Sequence, residues 1–141
     1  MKNRVSIELC CGSLEDCKLA ERVGADRIEL VSAHLLGGLT PSAGLVALVK
    51  EQVSLPVSVM VRPRGAGFCY SDEDFSVMCE DARRFSRMGA DGVVFGFLTA
   101  DGAWHGFGDE DGGDPGALDA LRAYATVQYD NLFNKDSAWA A

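Results

Sequence analysis

Short runs of apolar residues alternate along the chain with longer stretches in which apolar residues recur at helical spacing. The short runs suit buried strands, and the longer stretches suit amphipathic helices that cover them. The predicted strands lie at 5–11, 27–31, 56–61 and 92–98. The predicted helices lie at 13–24, 42–52 and 72–88. Strands that alternate with helices indicate βαβ units and a parallel sheet.

A three-residue repeat favours one arrangement of these units. Gly24-Ala25-Asp26 and Gly89-Ala90-Asp91 lie 65 residues apart, each between a predicted helix and the next predicted strand. Each glycine suits the position after a helix end, where positive φ is common. Repeating βα modules favour a TIM-type (β/α) barrel, which usually needs about 250 residues. The 141 residues therefore predict an α/β fold with the first four or five βα units of an incomplete barrel.

Charged residues cluster towards one predicted end of these strands. Side chains on a strand alternate between two faces, so the polar residues of each run share the face opposite the aliphatic ones. Glu8, Glu29, Arg62 and Arg64 are predicted to fall late in their strands or just after them. Sites in this architecture form at the carboxyl ends of the strands.

Two interpretations of these four charges stay open. They could form an internal ion-pair network that neutralises buried charge. Alternatively, Arg62 and Arg64 could bind a small anion as bidentate donors. In that second interpretation Glu8 or Glu29 is the catalytic general base or a metal ligand.

Charge and cysteine content narrow the classes of partner. A net charge of −8 and a pI near 4.6 argue against nucleic acid and anionic membranes, because both require basic patches. No apolar stretch approaches the length of a membrane span, and no signal-peptide pattern opens the chain. An odd number of cysteines without such a signal predicts reduced thiols in the cytoplasm. The cysteines are Cys10, Cys11, Cys17, Cys69 and Cys79.

Five blocks of residues resemble the copper homeostasis protein CutC family, in the family's order. They are Ile7-Glu8-Leu9-Cys10-Cys11, Gly24-Ala25-Asp26-Arg27-Ile28-Glu29-Leu30, Gly37-Gly38-Leu39-Thr40-Pro41-Ser42, Arg62-Pro63-Arg64-Gly65 and Phe68-Cys69-Tyr70-Ser71-Asp72. The family is a TIM-type barrel associated with copper handling and a cytoplasmic location. The resemblance therefore implies a role in copper homeostasis, with Cu(I) as the bound ion.

The resemblance also suggests metal ligands. Cys10 is similar to the family's cysteine at the end of the first strand and is the candidate soft ligand for Cu(I). Cys11 is the second candidate, although on a regular strand it points to the other face. The family often has a further cysteine after the second strand, where this chain has Val31. His34 and His105 are expected to be exposed loop residues.

The chain is predicted to divide after residue 108. Residues 1–108 hold CutC-like βα units one to four. Residues 109–141 form a divergent acidic segment with seven acidic and two basic residues, one predicted helix and a weak fifth strand at 127–134. In that strand the family's His and Arg positions hold Asp130 and Asn131.

Several functions stay open from the sequence. The first is a copper-binding protein of copper homeostasis, as the resemblance implies. The second is an enzyme of unnamed reaction on a small anionic, phosphorylated or sugar-like substrate. The third is a non-catalytic remnant that acts through assembly. Four or five parallel strands leave two open edges, so a homo-oligomer is expected.

Overall fold

The computed structural model describes residues 4–96 and residue 98. In this part of the chain, four strands alternate with three α-helices. The strands are β1 (Glu8–Cys11), β2 (Arg27–Leu30), β3 (Val57–Met60) and β4 (Gly92–Val94). The helices are α1 (Leu14–Arg22), α2 (Ala43–Gln52) and α3 (Asp72–Arg87), with a 3-10 helix at His34–Leu36. The predicted order of strands and helices is confirmed over these residues.

The sheet is parallel throughout its described strands. The strand order is β1-β2-β3-β4, so each strand lies beside its neighbour in sequence. All three pairings are parallel. An order without reversal is that of a (βα) barrel, whereas a doubly wound sheet changes direction at its first strand.

The hydrophobic core lies between the helices and one face of the sheet, called here the outer face. The strands contribute fully buried residues at alternate positions: Ile28, Leu30, Val57 and Val59. The helices contribute Cys17, Ala20, Val46, Val49, Met78, Cys79, Ala82 and Phe85. In α1 the buried residues are Cys17 and Ala20, whereas Leu19 and the C-cap residue Val23 are 48% and 65% exposed.

Serine side chains begin all three α-helices. Ser13, Ser42 and Ser71 each accept a hydrogen bond from the backbone N–H three residues later. In α3 the Asp74 side chain also accepts from the backbone N–H of Ser71, which completes a capping box. Such caps satisfy N–H groups that have no partner within the helix. Each cap thereby defines the residue at which its helix begins.

The repeated Gly-Ala-Asp segments have the same structure at both places. Gly24 and Gly89 have φ of 82° and 85°, as the repeat predicted. The Asp26 carboxylate accepts a hydrogen bond from the backbone N–H of Ile7, and that of Asp91 accepts one from Val57, both at 2.8 Å. The backbone N–H of Asp26 also donates to the carbonyl of Ile7, and that of Asp91 donates to the carbonyl of Val57. The repeat therefore joins the start of one strand to the start of the strand before it.

Some predictions concern parts of the chain outside the described residues. These are the division after residue 108, the helix and fifth strand within 109–141, and the position of His105. The prediction of a strand at 92–98 is confirmed for Gly92–Val94. Leu98 donates its backbone N–H to the carbonyl of Phe68 at 2.9 Å.

Candidate functional site

The face of the sheet turned away from the helices, called here the inner face, carries polar side chains in register. Cys10 of β1 pairs with Glu29 of β2, and Glu29 pairs with Ser58 of β3. These three residues, named here the inner row, cross the sheet at one level. Because register aligns neighbouring side chains of one face, the inner row brings a thiol, a carboxylate and a hydroxyl together.

Cys10 is exposed, and Glu29 is its partner in the register of β1 and β2. Partial desolvation raises the pKa of Cys10 to about 11, and the negative charge of Glu29 acts in the same direction. The smaller contributions of Cys11 and Glu8 add to both. At neutral pH Cys10 is therefore a protonated thiol, and a metal ion that binds it must displace the proton.

Glu8 lies at the opposite end of β1 from the expected site. β1 begins at Glu8, so the prediction that Glu8 falls late in its strand is wrong. The reason is that the preceding residues do not extend the sheet: Val5 and Ile7 are 76% and 51% exposed. The carboxylate of Glu8 lies 2.6 Å from Nε of Arg27, the first residue of β2. The two form an ion pair at the amino end, away from Arg62 and Arg64.

Arg62 follows β3 and is 8% exposed. Its Nη1 donates to the carbonyls of Leu36 and Gly38 at 2.9 and 3.1 Å, and Nη2 donates to that of Ala66 at 3.0 Å. The guanidinium lies 4.7 Å from the ring centroid of Phe68. The side chain thus joins the β2–α2 loop to the β3–α3 loop, and two of its three nitrogens already donate to backbone oxygens.

Arg64 is engaged in the β3–α3 loop as well. Its Nε lies 2.7 Å from the Asp74 carboxylate, and Nη2 donates to the carbonyl of Cys69 at 2.8 Å. Its guanidinium also lies 5.1 Å from the ring centroid of Tyr70. Burial raises the pKa of Tyr70, while the positive charge of Arg62 and a hydrogen bond with it oppose that shift. The two arginines thus meet around one tyrosine, and anion binding by them stays a prediction.

Cys11 lies on the other face from Cys10. Its side chain is 3% exposed, within the core, and its thiol donates a hydrogen bond to the carbonyl of Leu9 at 3.6 Å. Burial raises the pKa of Cys17 to about 12. Strand alternation predicted this separation of the adjacent thiols, so Cys10 is the one thiol that β1 presents on its inner face. Among residues 4–96 and 98, no three His, Cys, Asp or Glu side chains form a group able to hold a metal ion.

His34, expected from the sequence to be an exposed loop residue, lies in the 3-10 helix after β2 and beside Gly12, the residue that follows β1. If Gly12 carried a Cβ atom, that atom would lie 2.5 Å from Nε2 and 2.8 Å from Cδ2 of His34. The imidazole therefore occupies the space of a missing side chain just beyond β1. The glycine at position 12 is the one sequence signal of this contact. A glycine alone does not indicate which residue packs against it.

The fold and the polar inner face define a protein of the (βα)-barrel class, with its candidate site at the carboxyl ends of the strands. The model of the CutC family matches residues 5–105. The chain belongs to the CutC family, as its sequence blocks predicted.

Relatives with the family name share much of the first part of the chain. A family protein CutC from Treponema denticola is 58% identical over 85 residues, which are 60% of this chain and 34% of the relative. One from Klebsiella pneumoniae strain 342 is 51% identical over 77 residues, or 55% of this chain and 31% of the relative. The chain thus spans about a third of the length of these relatives.

Solved structures confirm the fold. A protein from Streptococcus agalactiae, named as a copper homeostasis protein CutC, matches with a TM-score of 0.70 and 28% identity, over 87% of this chain and 56% of that one. A protein from Burkholderia cenocepacia, named as a phosphonomutase, matches with a TM-score of 0.52 and 18% identity, over 90% and 49% of the two chains. The second likeness concerns the fold alone. The four described strands are thus the opening units of a TIM-type barrel.

None of the helices within residues 4–96 has both the length and the apolar character that a membrane crossing needs.

Proposed function

We propose that this chain acts in copper homeostasis by binding Cu(I) through the thiol of Cys10, in the cytoplasm. The observation that carries the proposal is the position of this thiol, exposed on the polar inner face of the sheet. The structural neighbour from Streptococcus agalactiae bears a copper homeostasis name. Copper is the cargo of this function.

The chemistry of Cys10 suits a soft cation. Thiolate sulfur selects Cu(I) over hard divalent ions. Loss of the thiol proton on binding gives a sulfur of charge −1, and the adjacent carboxylate of Glu29 adds further negative charge beside the cation. In a reducing compartment the thiol stays available.

The other cysteines offer a natural control. Cys11, Cys17 and Cys79 are buried, whereas Cys10 and Cys69 are exposed. Cys69 lies in the β3–α3 loop, where its carbonyl accepts from Arg64. Cys69 is therefore an exposed thiol outside the inner face. Its substitution tests whether the position of a thiol, rather than its exposure, decides Cu(I) binding.

The test is an anaerobic titration of the full chain with Cu(I) against a chromophoric chelator that competes for the ion. The wild type is expected to bind one equivalent. Cys10→Ser is expected to lose this binding, and Cys69→Ser is expected to keep it. No binding by the wild type, or equal binding by Cys10→Ser, would overturn the proposal.

A further inference from the structure

An apolar surface lies along the open edge of the sheet. Among the described strands, β1 pairs with β2 alone, so its other edge is free. Leu9 of β1 points to the outer face but stays partly exposed, whereas its register partner Ile28 is fully buried. Leu19 of α1 and the C-cap residue Val23 are 48% and 65% exposed. The core is thus closed over β2 and open beside β1.

The side of α1 that carries Leu19 and Val23 faces away from α2. Lys18 of α1 donates to the side chain of Gln52, the last residue of α2, at 2.6 Å. Glu21 accepts a backbone N–H just after α2 at 2.8 Å. At 3.6 residues per turn, Leu19 and Val23 lie roughly 100–160° around the helix axis from these two bonded residues. The free edge of β1 together with Leu19 and Val23 is named here the β1 flank.

Opposite charges lie at the two ends of α1 on this side. Glu15 lies in the first turn and Arg22 in the last turn, and both are exposed. Glu15, Leu19 and Arg22 have the i, i+4, i+7 spacing that places residues on one side of a helix. Within residues 4–96 and 98, neither of the two charges takes part in an ion pair. The order along this side of α1 is therefore acidic, apolar, basic.

This order fits a second copy of the same helix that runs in the opposite direction. Rotation of a copy end for end about Leu19 places each Glu15 opposite Arg22 of the other copy. It also places the two Leu19 side chains opposite each other. A surface that is complementary to itself in this way is what a twofold contact requires. A parallel copy would instead bring like charges together, which is unfavourable.

The free backbone groups of β1 suit the same twofold arrangement. The carbonyl of Cys11 accepts from the backbone N–H of Val31 at 2.9 Å, so it points to β2. Backbone groups alternate in direction along a strand, so the carbonyls of Glu8 and Cys10 point to the open edge. Residues of this kind exchange two hydrogen bonds in an antiparallel pair. Glu8 of each copy then pairs with Cys10 of the other, on either side of Leu9.

We propose that the β1 flank is the contact surface between two copies of this chain, with the β1 strands and the α1 helices each antiparallel across a twofold axis. Paired strands lie about 4.8 Å apart. Because α1 packs over β1, two such helices come within the roughly 8–10 Å at which helices pack. The contact buries Leu9, Leu19 and Val23 and continues the sheet from one copy into the other. The inference is independent of the proposed function.

Sedimentation equilibrium of the full chain tests the contact. The wild type is expected to be a dimer at micromolar concentration. Leu19→Glu is expected to raise the dissociation constant at least about tenfold, because it brings two carboxylates together at the centre of the contact. Val77→Glu on α3 is the matched control, since Val77 is 51% exposed and the change in charge is the same. A monomeric wild type, or equal effects of the two changes, would overturn the proposal.

An exchange of charges tests the antiparallel direction of the helices. Glu15→Arg and Arg22→Glu each place like charges opposite one another, so each should weaken association severalfold at low salt and less as salt is added. The double variant restores both pairs of opposite charge in exchanged positions and should recover most of the association. Weakening by both single changes without recovery in the double variant would overturn the antiparallel arrangement.

A cross-link at Cys10 tests the strand contact separately. In the variant Cys69→Ser, the exposed thiol is that of Cys10, because the other three cysteines are buried: Cys11, Cys17 and Cys79. Diagonal neighbours across paired strands lie roughly 7–8 Å apart, so a short bifunctional maleimide should join Cys10 of the two copies. Adding Leu19→Glu should remove the product at the same protein concentration. A dimer without this cross-link would place the contact elsewhere and overturn the proposal. Unchanged melting temperatures of the variants would show that the fold is intact.

Discussion

The two faces of the sheet differ most clearly within β2. Ile28 and Leu30 point to the outer face and are fully buried in the core. Arg27 and Glu29 alternate with them on the inner face, where each keeps part of its surface in solvent and lies beside a polar side chain of β1. One strand of four residues thus contributes equally to a packed core and to a polar surface.

The difference shows how the fold and the candidate chemistry are separated in this chain. Outer-face residues are selected by volume, because they fill space under the helices. Inner-face residues are selected by charge and donor type, because they interact across the register with one another. A change on the outer face should therefore alter stability, and a change on the inner face should alter binding with little effect on stability.

The largest expected effect is a cavity in the outer core. Phe85 of α3 is 1% exposed and belongs to the core cluster. Phe85→Ala should lower the free energy of unfolding by about 3–5 kcal/mol, the range for a large aromatic side chain removed from a core. Urea denaturation of the full chain measures it. Val77→Ala on the same helix removes a side chain that is 51% exposed and should cost far less; an equal loss would contradict the division between faces.

Arg62 is an exception to this division between the two faces, because its charged side chain is buried just beyond the end of β3. Arg62→Lys keeps the charge, but one ammonium group cannot reach the three carbonyls that the guanidinium bonds. The expected loss is about 2–3 kcal/mol, as for charged hydrogen bonds whose partners are left buried. Arg64 is 40% exposed, so Arg64→Lys is the matched control, with an expected loss below about 1 kcal/mol. Equal urea midpoints for the two variants would show that Arg62 does not hold the loops.

Local patterns predicted most of the outer face. Alternation of aliphatic residues located the strands, and the repeated Gly-Ala-Asp segments marked both the helix ends and the strand starts that the structure shows. Alternation also predicted that Cys10 and Cys11 point to opposite faces. These features depend on residues that are close together in the sequence, so they can be predicted from local patterns.

The candidate site was only partly predictable, because its contacts join distant segments. Alternation predicted a polar face, but it did not give the register that aligns the inner row across the strands. The amino-end position of Glu8 depends on where β1 begins, which an apolar run does not define. The partners of Arg62 are backbone carbonyls, which carry no sequence signal. His34 meets Gly12 because the β2–α2 loop folds back over β1, and that contact depends on the loop backbone and on Arg62.

Cys17 tests the outer face through pH. Burial raises its pKa to about 12 in the folded chain, above the ordinary value of about 8.5 expected when unfolded. The protonated thiol is thus favoured by folding, so its stabilising contribution is complete below about pH 8.5 and is lost as pH rises towards 12. Over that window stability should fall by up to about 1.4 kcal/mol per pH unit.

The comparison of wild type with Cys17→Ala isolates this contribution from other groups that titrate in alkali. Thermal or urea unfolding between pH 8 and 11 should show a smaller decline for Cys17→Ala than for the wild type. Parallel declines in the two proteins would mean that the thiol of Cys17 ionises as readily in the folded chain as in the unfolded one.

The smallest expected effect is on the inner face, at the ion pair between Glu8 and Arg27. Both side chains are about one-third exposed, at 34% and 36%, so solvent screens their attraction. A double-mutant cycle with Glu8→Gln and Arg27→Gln should give a coupling of about 0.2–1 kcal/mol that falls as salt is added. The pair between Arg4 and Asp26, where Arg4 is 74% exposed, should give less. A coupling above about 2 kcal/mol that salt leaves unchanged would mean that the inner face excludes water as the outer face does. The two faces would then differ in polarity but not in their exposure to water.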